Sequence, residues 1–132
     1  MHHPVSDLCR YLHAKPEAVL DYPFGPDVAV YKVLGKLFAL VGVAQGVERV
    51  NLKCDPLEAV QLRDVFAAVL PGYHMNKRHW NTVVMDGSIP WPEIERMVDQ
   101  SYALVVRGLP KRERLGLEAR HGASVLYPDA VP

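Results

Sequence analysis

Cysteine is scarce in this chain, with two residues, Cys9 and Cys54, among 132. The two lie far apart and form no Cys-x-x-Cys pair, which argues against a structural zinc site and against thioredoxin-like redox chemistry. Each lies among apolar neighbours on a predicted element. We therefore expect both to be small buried hydrophobic residues rather than reactive thiols.

The chain also has a net charge of zero, because its 15 Lys and Arg residues balance its 15 Asp and Glu residues. This balance counts against a strong general nucleic-acid binder. No apolar run is long enough to span a bilayer, and the amino terminus has no basic and then apolar export signal. We therefore expect a cytoplasmic protein, with a single domain large enough to bury a core.

Recognisable catalytic motifs are missing as well. The chain has neither a Gly-rich phosphate loop nor a Gly-x-Ser-x-Gly elbow. Asp21, Asp27 and Asp55 each suit a turn or a helix cap, and Asp27 with His79 is the least implausible acid–base pair. We expect no enzyme activity and no cofactor, with an enzyme of unknown activity as the alternative.

Metal ligands are poorly spaced. His74 and His79 are five residues apart, which fits neither a helical ligand pair nor one face of a strand. No Asp, Glu or Cys lies between Leu70 and Met85 to complete a site. We expect no metal site.

Charge is distributed unevenly along the chain. Residues 32–53 hold four basic residues and one acidic residue, and residues 71–85 hold two basic residues and no acidic one. These blocks fall where strands are predicted, whereas the acidic blocks at 54–70 and 86–100 fall mainly where helices are predicted. If the helices cover one face of a sheet, the other face is basic.

Hydrophobic periodicity and turn residues predict an α+β fold in two layers. The sheet has about five mostly antiparallel strands with helices on one face, in the order α-βββ-α-ββ-α. Short turns at Leu34-Gly35 and Gln45-Gly46 indicate hairpins. Helices are expected near residues 5–13, 56–69 and 91–106, and strands near 28–33, 36–41, 47–53, 73–75 and 79–84.

The second helix has a clear start. Asp55 is the expected cap, Pro56 suits the first position, and Glu58 is placed to complete a capping box. The carboxyl-terminal end is less regular, with no convincing periodicity. We divide the chain into a domain at 1–116 and a tail at 117–132.

Alternation along 47–54 separates two sets of side chains. Val50 and Leu52 face the helices, while Arg49, Asn51 and Lys53 lie exposed on the open face. Side chains two residues apart lie about 6 to 7 Å from one another, close to the phosphate spacing of one DNA strand. The alternative is that these cations are merely solvated.

Lys77 and Arg78 are expected at a hairpin tip. Asn76 can adopt the left-handed conformation that such a turn requires. Arg78 suits bidentate contact with phosphate or guanine, and Lys77 acts as a point charge. An ordinary soluble turn is the alternative. We expect Trp80 to pack against a helix rather than to offer a stacking surface.

Four segments also carry a family resemblance. They are Tyr22–Val33, Arg49–Pro56, Pro71–Val83 (PGYHMNKRHWNTV), and Asp99–Val106 with Leu109–Lys111. In order and spacing they resemble the motifs of the MmcQ/YjbR family of small bacterial proteins, over about Leu8 to Leu115. The resemblance implies an α/β fold with a "double wing" arrangement and DNA binding, and it implies no catalytic residues.

These observations predict a protein that binds DNA weakly, through phosphate contacts from an open sheet face and hairpin tips. The alternative is a chaperone-like, protein-binding module, which suits zero net charge better. An exposed apolar patch would favour protein binding, whereas a cationic face would favour DNA binding. The predicted DNA-binding residues are Lys36, Arg49, Asn51, Lys53, Lys77, Arg78 and His79.

Overall fold

The computed structural model describes residues 6–72 and 75–128. Within these ranges, no helix combines the length and the apolarity that crossing a membrane requires. The elements in chain order are α1 Asp7–His13, β1 Ala18–Asp21, β2 Ala29–Val33, β3 Lys36–Ala44, β4 Val47–Lys53, α2 Pro56–Val65, β5 Val69–Pro71, β6 Trp80–Val84, α3 Trp91–Arg107, α4 Lys111–His121 and α5 Ala123–Leu126.

The strands form one open sheet in the order β1-β2-β3-β4-β6-β5, and every neighbouring pair is antiparallel. This confirms the α+β fold with an antiparallel sheet. Within the described residues the sheet has six strands rather than about five, because β1 was not predicted. A four-residue strand on the sheet edge is too short to show a clear alternation.

Two tight hairpins set the register of the three central strands. Leu34 and Gly35 join β2 to β3, and Gln45 and Gly46 join β3 to β4, all four with positive φ. Positive φ at both central residues is typical of the two-residue turn whose twist matches that of paired strands. The predicted turns are therefore confirmed, and β4 keeps its predicted bounds.

The helix layer packs on one face of the sheet, chiefly through α3. Ile94, Val98, Tyr102 and Val105 of its apolar stripe are buried, whereas Trp91 is 36% exposed. Val50 and Leu52 of β4, facing this layer, are buried as predicted.

The second helix differs from its prediction. Asp55 caps it by accepting hydrogen bonds from the amides of Leu57 and Glu58. The helix ends at Val65, not near residue 69, and Val69 instead begins β5 and is buried. The predicted capping box is also wrong, because the Glu58 carboxylate accepts hydrogen bonds from Arg96 and Gln100 of α3.

Two other expectations concern residues at or near the limits of the described ranges. The strand expected at 73–75 lies partly outside the described residues, and the strand that pairs with β6 is 69–71. The start of the first predicted helix at residue 5 also lies outside them, and Ser6 caps α1 by accepting from the Cys9 amide.

The carboxyl-terminal segment joins the core. Helix α4 runs across residue 116, where the sequence analysis ended the domain. Leu117 of α4 and Leu126 of α5 are fully buried in the same hydrophobic cluster as α3 and the sheet. The described part of the predicted tail is therefore helical and packed.

Candidate functional site

The open face of the sheet carries the predicted β4 residues. Register pairs Arg49 with Val84, Asn51 with Thr82 and Lys53 with Trp80 across β4 and β6. Directly opposite residues of an antiparallel pair point to the same face. Arg49, Asn51 and Lys53 therefore share the face opposite the helices, as predicted.

Asn51 is not exposed, which corrects one prediction. Its relative exposure is 7%, because β4 lies inside the sheet and neighbours crowd it from both sides. Its Oδ1 accepts a hydrogen bond from the Thr82 hydroxyl of β6. Asn51 is consequently part of the floor of the open face and does not project from it, whereas Arg49 and Lys53 are partly exposed.

Trp80 lies on the open face, so the expectation that it packs against a helix is wrong. The next residue, Asn81, is buried and turned toward α2, where its side chain donates to Ala59 O and accepts from Arg63. Strand alternation then directs Trp80 to the other side. Its ring is partly buried beside Lys53.

The β5–β6 connection places Lys77 and Arg78 on an exposed turn, as predicted. Asn76 does not have positive φ. Its Oδ1 accepts a hydrogen bond from the Arg78 amide at 3.0 Å, so it shapes the turn through its side chain.

The start of this connection has a steric requirement. A Cβ on Gly72 would lie 2.9 Å from the carbonyl oxygen of Trp80 and 3.0 Å from its Cβ. Only glycine allows this approach, in which the Gly72 amide donates to Trp80 O. The connection therefore leaves the sheet directly beside Trp80.

Lys36, Lys53, Lys77 and Arg78 come from three segments that lie at one end of the sheet, which we call the basic end. Lys53 is on the open face, whereas Lys36 lies at the tip of the β2–β3 hairpin on the helix side, because it is opposite Val33, which is buried in the core. β3 and β6 both pair with β4, and the turn before Lys36 and the connection before β6 extend beyond the Lys53 end of β4. His79 belongs to the same end, where its carbonyl accepts from the Cys54 amide at 2.7 Å.

Arg49 is separate from this group. It lies four residues from Lys53 along β4, which is about 13 Å at the usual rise of a strand. The predicted open face is therefore not uniformly basic. Lys32 on the same face is neutralised by an ion pair with Asp21 at 3.0 Å.

A concave region, the Arg49 cleft, was not predicted from the sequence. It has a volume of about 240 Å³ and lies on the open face. Register places its floor residues in a row across four strands. The lining includes Leu40, Gly42, Arg49, Asn51, Leu70 and Thr82.

The structure does not bring together Asp27 and His79, the acid–base pair that was considered from the sequence. Asp27 precedes β2, near the Arg49 end of the sheet, while His79 precedes β6 at the basic end, with β3 and β4 between those strands. His74 lies outside the described residues. Among those described, no three His, Cys, Asp or Glu side chains converge as metal ligands.

This chain, a two-layer α+β domain with an open antiparallel sheet, has relatives among known proteins. The family model described as YjbR matches residues 13–104. The chain is 38% identical to the Escherichia coli (strain K12) protein YjbR over 110 residues, which are 83% of this chain and 93% of that protein. It is also 38% identical to YbdF of Escherichia coli O157:H7 over 99 residues, 75% of this chain and 81% of YbdF.

Solved structures agree with this relationship. The crystal structure of the Deinococcus radiodurans protein DR2400, with the family-model domain DUF419, superposes with a TM-score of 0.77 at 36% identity, covering 84% of this chain and 85% of that one. A Pseudomonas syringae protein gives a TM-score of 0.64 at 30% identity over 73% of this chain and 93% of that one. The chain belongs to the YjbR family.

Proposed function

We propose that this protein binds the phosphate backbone of DNA, weakly and with little sequence preference, through the basic end of its sheet. The observation that carries the proposal is that four cations from three segments lie at one end of the sheet. Lysine and arginine side chains supply the phosphate contacts of most protein–DNA interfaces.

The surroundings of the basic end favour an anionic partner. Asp55 lies two residues after the end of β4, but its carboxylate accepts hydrogen bonds from two amides of α2. Trp80 lies opposite Lys53 and offers part of a flat ring next to a cation. A ring beside a cation suits contact with an unstacked base as well as with a phosphate.

Two hairpins flank β4 at this end, and we assign them as the wings that the family resemblance implies. One is the β2–β3 hairpin, whose turn precedes Lys36, and the other is the β5–β6 hairpin, whose connection carries Lys77 and Arg78. The backbone wall of a DNA groove could lie across the end of β4, with one hairpin on each side. Contacts between these hairpins and the DNA backbone depend on the shape and charge of the duplex, so the preference for particular base sequences should be small.

The proposal is tested by the salt dependence of binding. About four phosphate contacts to duplex DNA predict a slope of log affinity against log salt of about −3 to −4. Fluorescence anisotropy of a labelled duplex, measured at several salt concentrations, gives this slope. Changing the duplex sequence at constant length and salt should leave the affinity nearly unchanged.

The double variant Lys77→Ala/Arg78→Ala should reduce the magnitude of that slope by about 2 units, since two phosphate contacts are lost. A charge-matched control is Lys111→Ala/Arg112→Ala, which removes two exposed cations from α4 in the helix layer. The control should keep the wild-type slope. Absence of binding at low salt, or equal effects of the two double variants, would reject the proposal.

A protein-binding module is the second candidate, and one observation favours it. Helix α2 exposes three apolar side chains, Leu57 at 69%, Val60 at 47% and Val65 at 71%. Such a cluster on a helix surface is typical of a site for a protein partner. The same titration separates the candidates, because a protein-binding module requires no affinity for DNA at low salt.

A further inference from the structure

Arg49 has no ionic partner among residues 6–72 and 75–128. Its Nε is buried and makes no hydrogen bond among the described residues. No described carboxylate forms an ion pair with it, whereas Lys32 on the same face is paired with Asp21. A buried donor without an acceptor is rare in folded proteins. The two Nη groups are not buried and make no hydrogen bond to a described residue, so they are the donors that an acceptor from outside the chain can reach.

The cleft around Arg49 combines this donor with apolar walls. Val28, Leu40 and Leu70 contribute hydrocarbon surface, and none of the described residues that line the cleft is acidic. Asn51 uses its Oδ1 to accept from Thr82, and no described residue accepts a hydrogen bond from its Nδ2. The polar groups that remain available are therefore mainly donors, which suits an anion.

Gly42 keeps the cleft open. It lies opposite Arg49 in the register of β3 and β4. A Cβ added there would have no heavy atom within 4 Å, so the space above the strand is empty. A larger residue at position 42 would occupy the space that a ligand needs.

We propose that the Arg49 cleft binds a small monocarboxylate with a short apolar chain. One guanidinium matches one negative charge, and its planar fork of N–H groups fits the two oxygens of a carboxylate. The volume of about 240 Å³ is below the range that drug-sized ligands occupy, so the ligand is small. This binding site is distinct from the basic end, and the inference does not rest on DNA binding.

The probe is hexanoate, compared with hexanamide and acetate in titrations followed by backbone amide shifts in NMR spectra of the full chain. Hexanoate should cause saturable shifts at Gly42, Val43 and Asn51. Hexanamide has a matching chain without the charge, and acetate has the charge without the chain. Each should bind at least tenfold more weakly than hexanoate, because each lacks one of the two complementary features.

Two variants locate the site. Arg49→Met removes the charge at similar side-chain length and should weaken hexanoate binding at least tenfold. Gly42→Val keeps Arg49 but fills the cleft, and a β-branched residue is well tolerated in a strand, so it should weaken binding similarly with a folded spectrum. Lys53→Met, a cation change on the same strand outside the cleft, should leave hexanoate affinity unchanged.

Several results would overturn the inference. Hexanoate that produces no saturable shifts, hexanamide that binds as tightly as hexanoate, or shifts confined to another surface would each reject it. Wild-type affinity in Gly42→Val would also reject it. The comparison of the three probes uses the wild-type protein alone, so the test stands even if Arg49→Met does not fold.

Discussion

Ser101 is a polar residue inside the apolar stripe of α3, and it joins the helix layer to the sheet. Its side chain is fully buried. The hydroxyl donates to Phe38 O at 2.6 Å and accepts from the Lys53 amide at 2.8 Å. One side chain thereby fixes α3 across two neighbouring strands, at the end of β4 that presents Lys53.

Ser101→Ala should lower the free energy of unfolding by about 1 to 3 kcal/mol, because it leaves two backbone groups without their hydrogen-bond partner. Chemical denaturation measures the loss. Ser124→Ala, at an exposed position of α5, is the control and should change stability by less than about 0.5 kcal/mol. Equal effects of the two substitutions would show that the Ser101 hydroxyl does not couple the layers.

Cys54 is an inert thiol by virtue of its environment. Burial, followed by the negative charges of Glu58 and Asp55, raises the pKa of the Cys54 thiol to about 11. Alkylation requires the thiolate, so iodoacetamide at pH 8 should label Cys54 only as fast as the native protein opens. Mass spectrometry of the labelled peptide checks this, with Cys9, which is partly exposed, as the internal comparison. Equal labelling rates in native and urea-unfolded protein would contradict it.

Alternation along one strand is local, and for that reason the sequence predicted the sides of Val50, Leu52, Arg49 and Lys53. The burial of Asn51 was not predictable in this way, because it depends on which strands flank β4. The side on which Trp80 lies depends on the register between β4 and β6, and that register follows from the helix and the short strand between them. The burial of Asn51 and the side of Trp80 therefore depend on tertiary structure and cannot be predicted from the local sequence pattern.

At the scale of elements, α4 and α5 extend the core beyond the segment that the family model matches. Leu117 and Leu126 are fully buried in the central cluster. Arg120 and His121 of α4 also contact the Glu17 carboxylate just before β1, both at 2.7 Å. These helices should therefore unfold together with the sheet.

Leu126→Ala should destabilise the whole domain by about 2 to 5 kcal/mol, because it opens a cavity in the common core. The adjacent Val125→Ala is a close control, since Val125 is 51% exposed, and its effect should be much smaller. Thermal or chemical unfolding monitored by circular dichroism measures both. A separate early transition for α4 and α5, with the main transition unchanged, would contradict a common core.

The contact between α4 and the start of β1 should depend on pH. Hydrogen bonds from Arg120 and then His121 lower the pKa of Glu17 below its ordinary value of 4.5. A lowered pKa in the folded state stabilises the protein above the unfolded-state pKa, and this contribution is lost as pH falls through the folded-state pKa. Glu17→Gln should therefore lower stability at pH 7 slightly and make it less sensitive to acid below about pH 4.5. Identical acid profiles for the two proteins would contradict this.

Elements with strong local signals were predictable. The glycine turns at 35 and 46, the Asp55 cap and the long stripe of α3 all depend on neighbouring residues. The short edge strands β1 and β5 were missed because three or four residues carry too little pattern. Helix α4 was missed because it buries one leucine, Leu117, and its other residues are largely polar or exposed.

At the scale of the whole molecule, the two faces of the sheet have different roles. One face is covered by helices and holds the core. The other carries Lys53 of the basic end and, about 13 Å away along β4, the Arg49 cleft. Because the two regions use different side chains, substitutions in one should leave binding to the other unchanged.

The most direct test of the central proposal is a map of DNA contacts on the folded protein. Backbone amide shifts would be recorded while a duplex of about 12 base pairs is added at low salt. We predict the largest shifts at residues 34–37, 52–54 and 76–81, with fast exchange typical of weak binding. Shifts centred on α2 around Leu57 and Val65, or no shifts at all, would contradict the proposal that the basic end binds DNA.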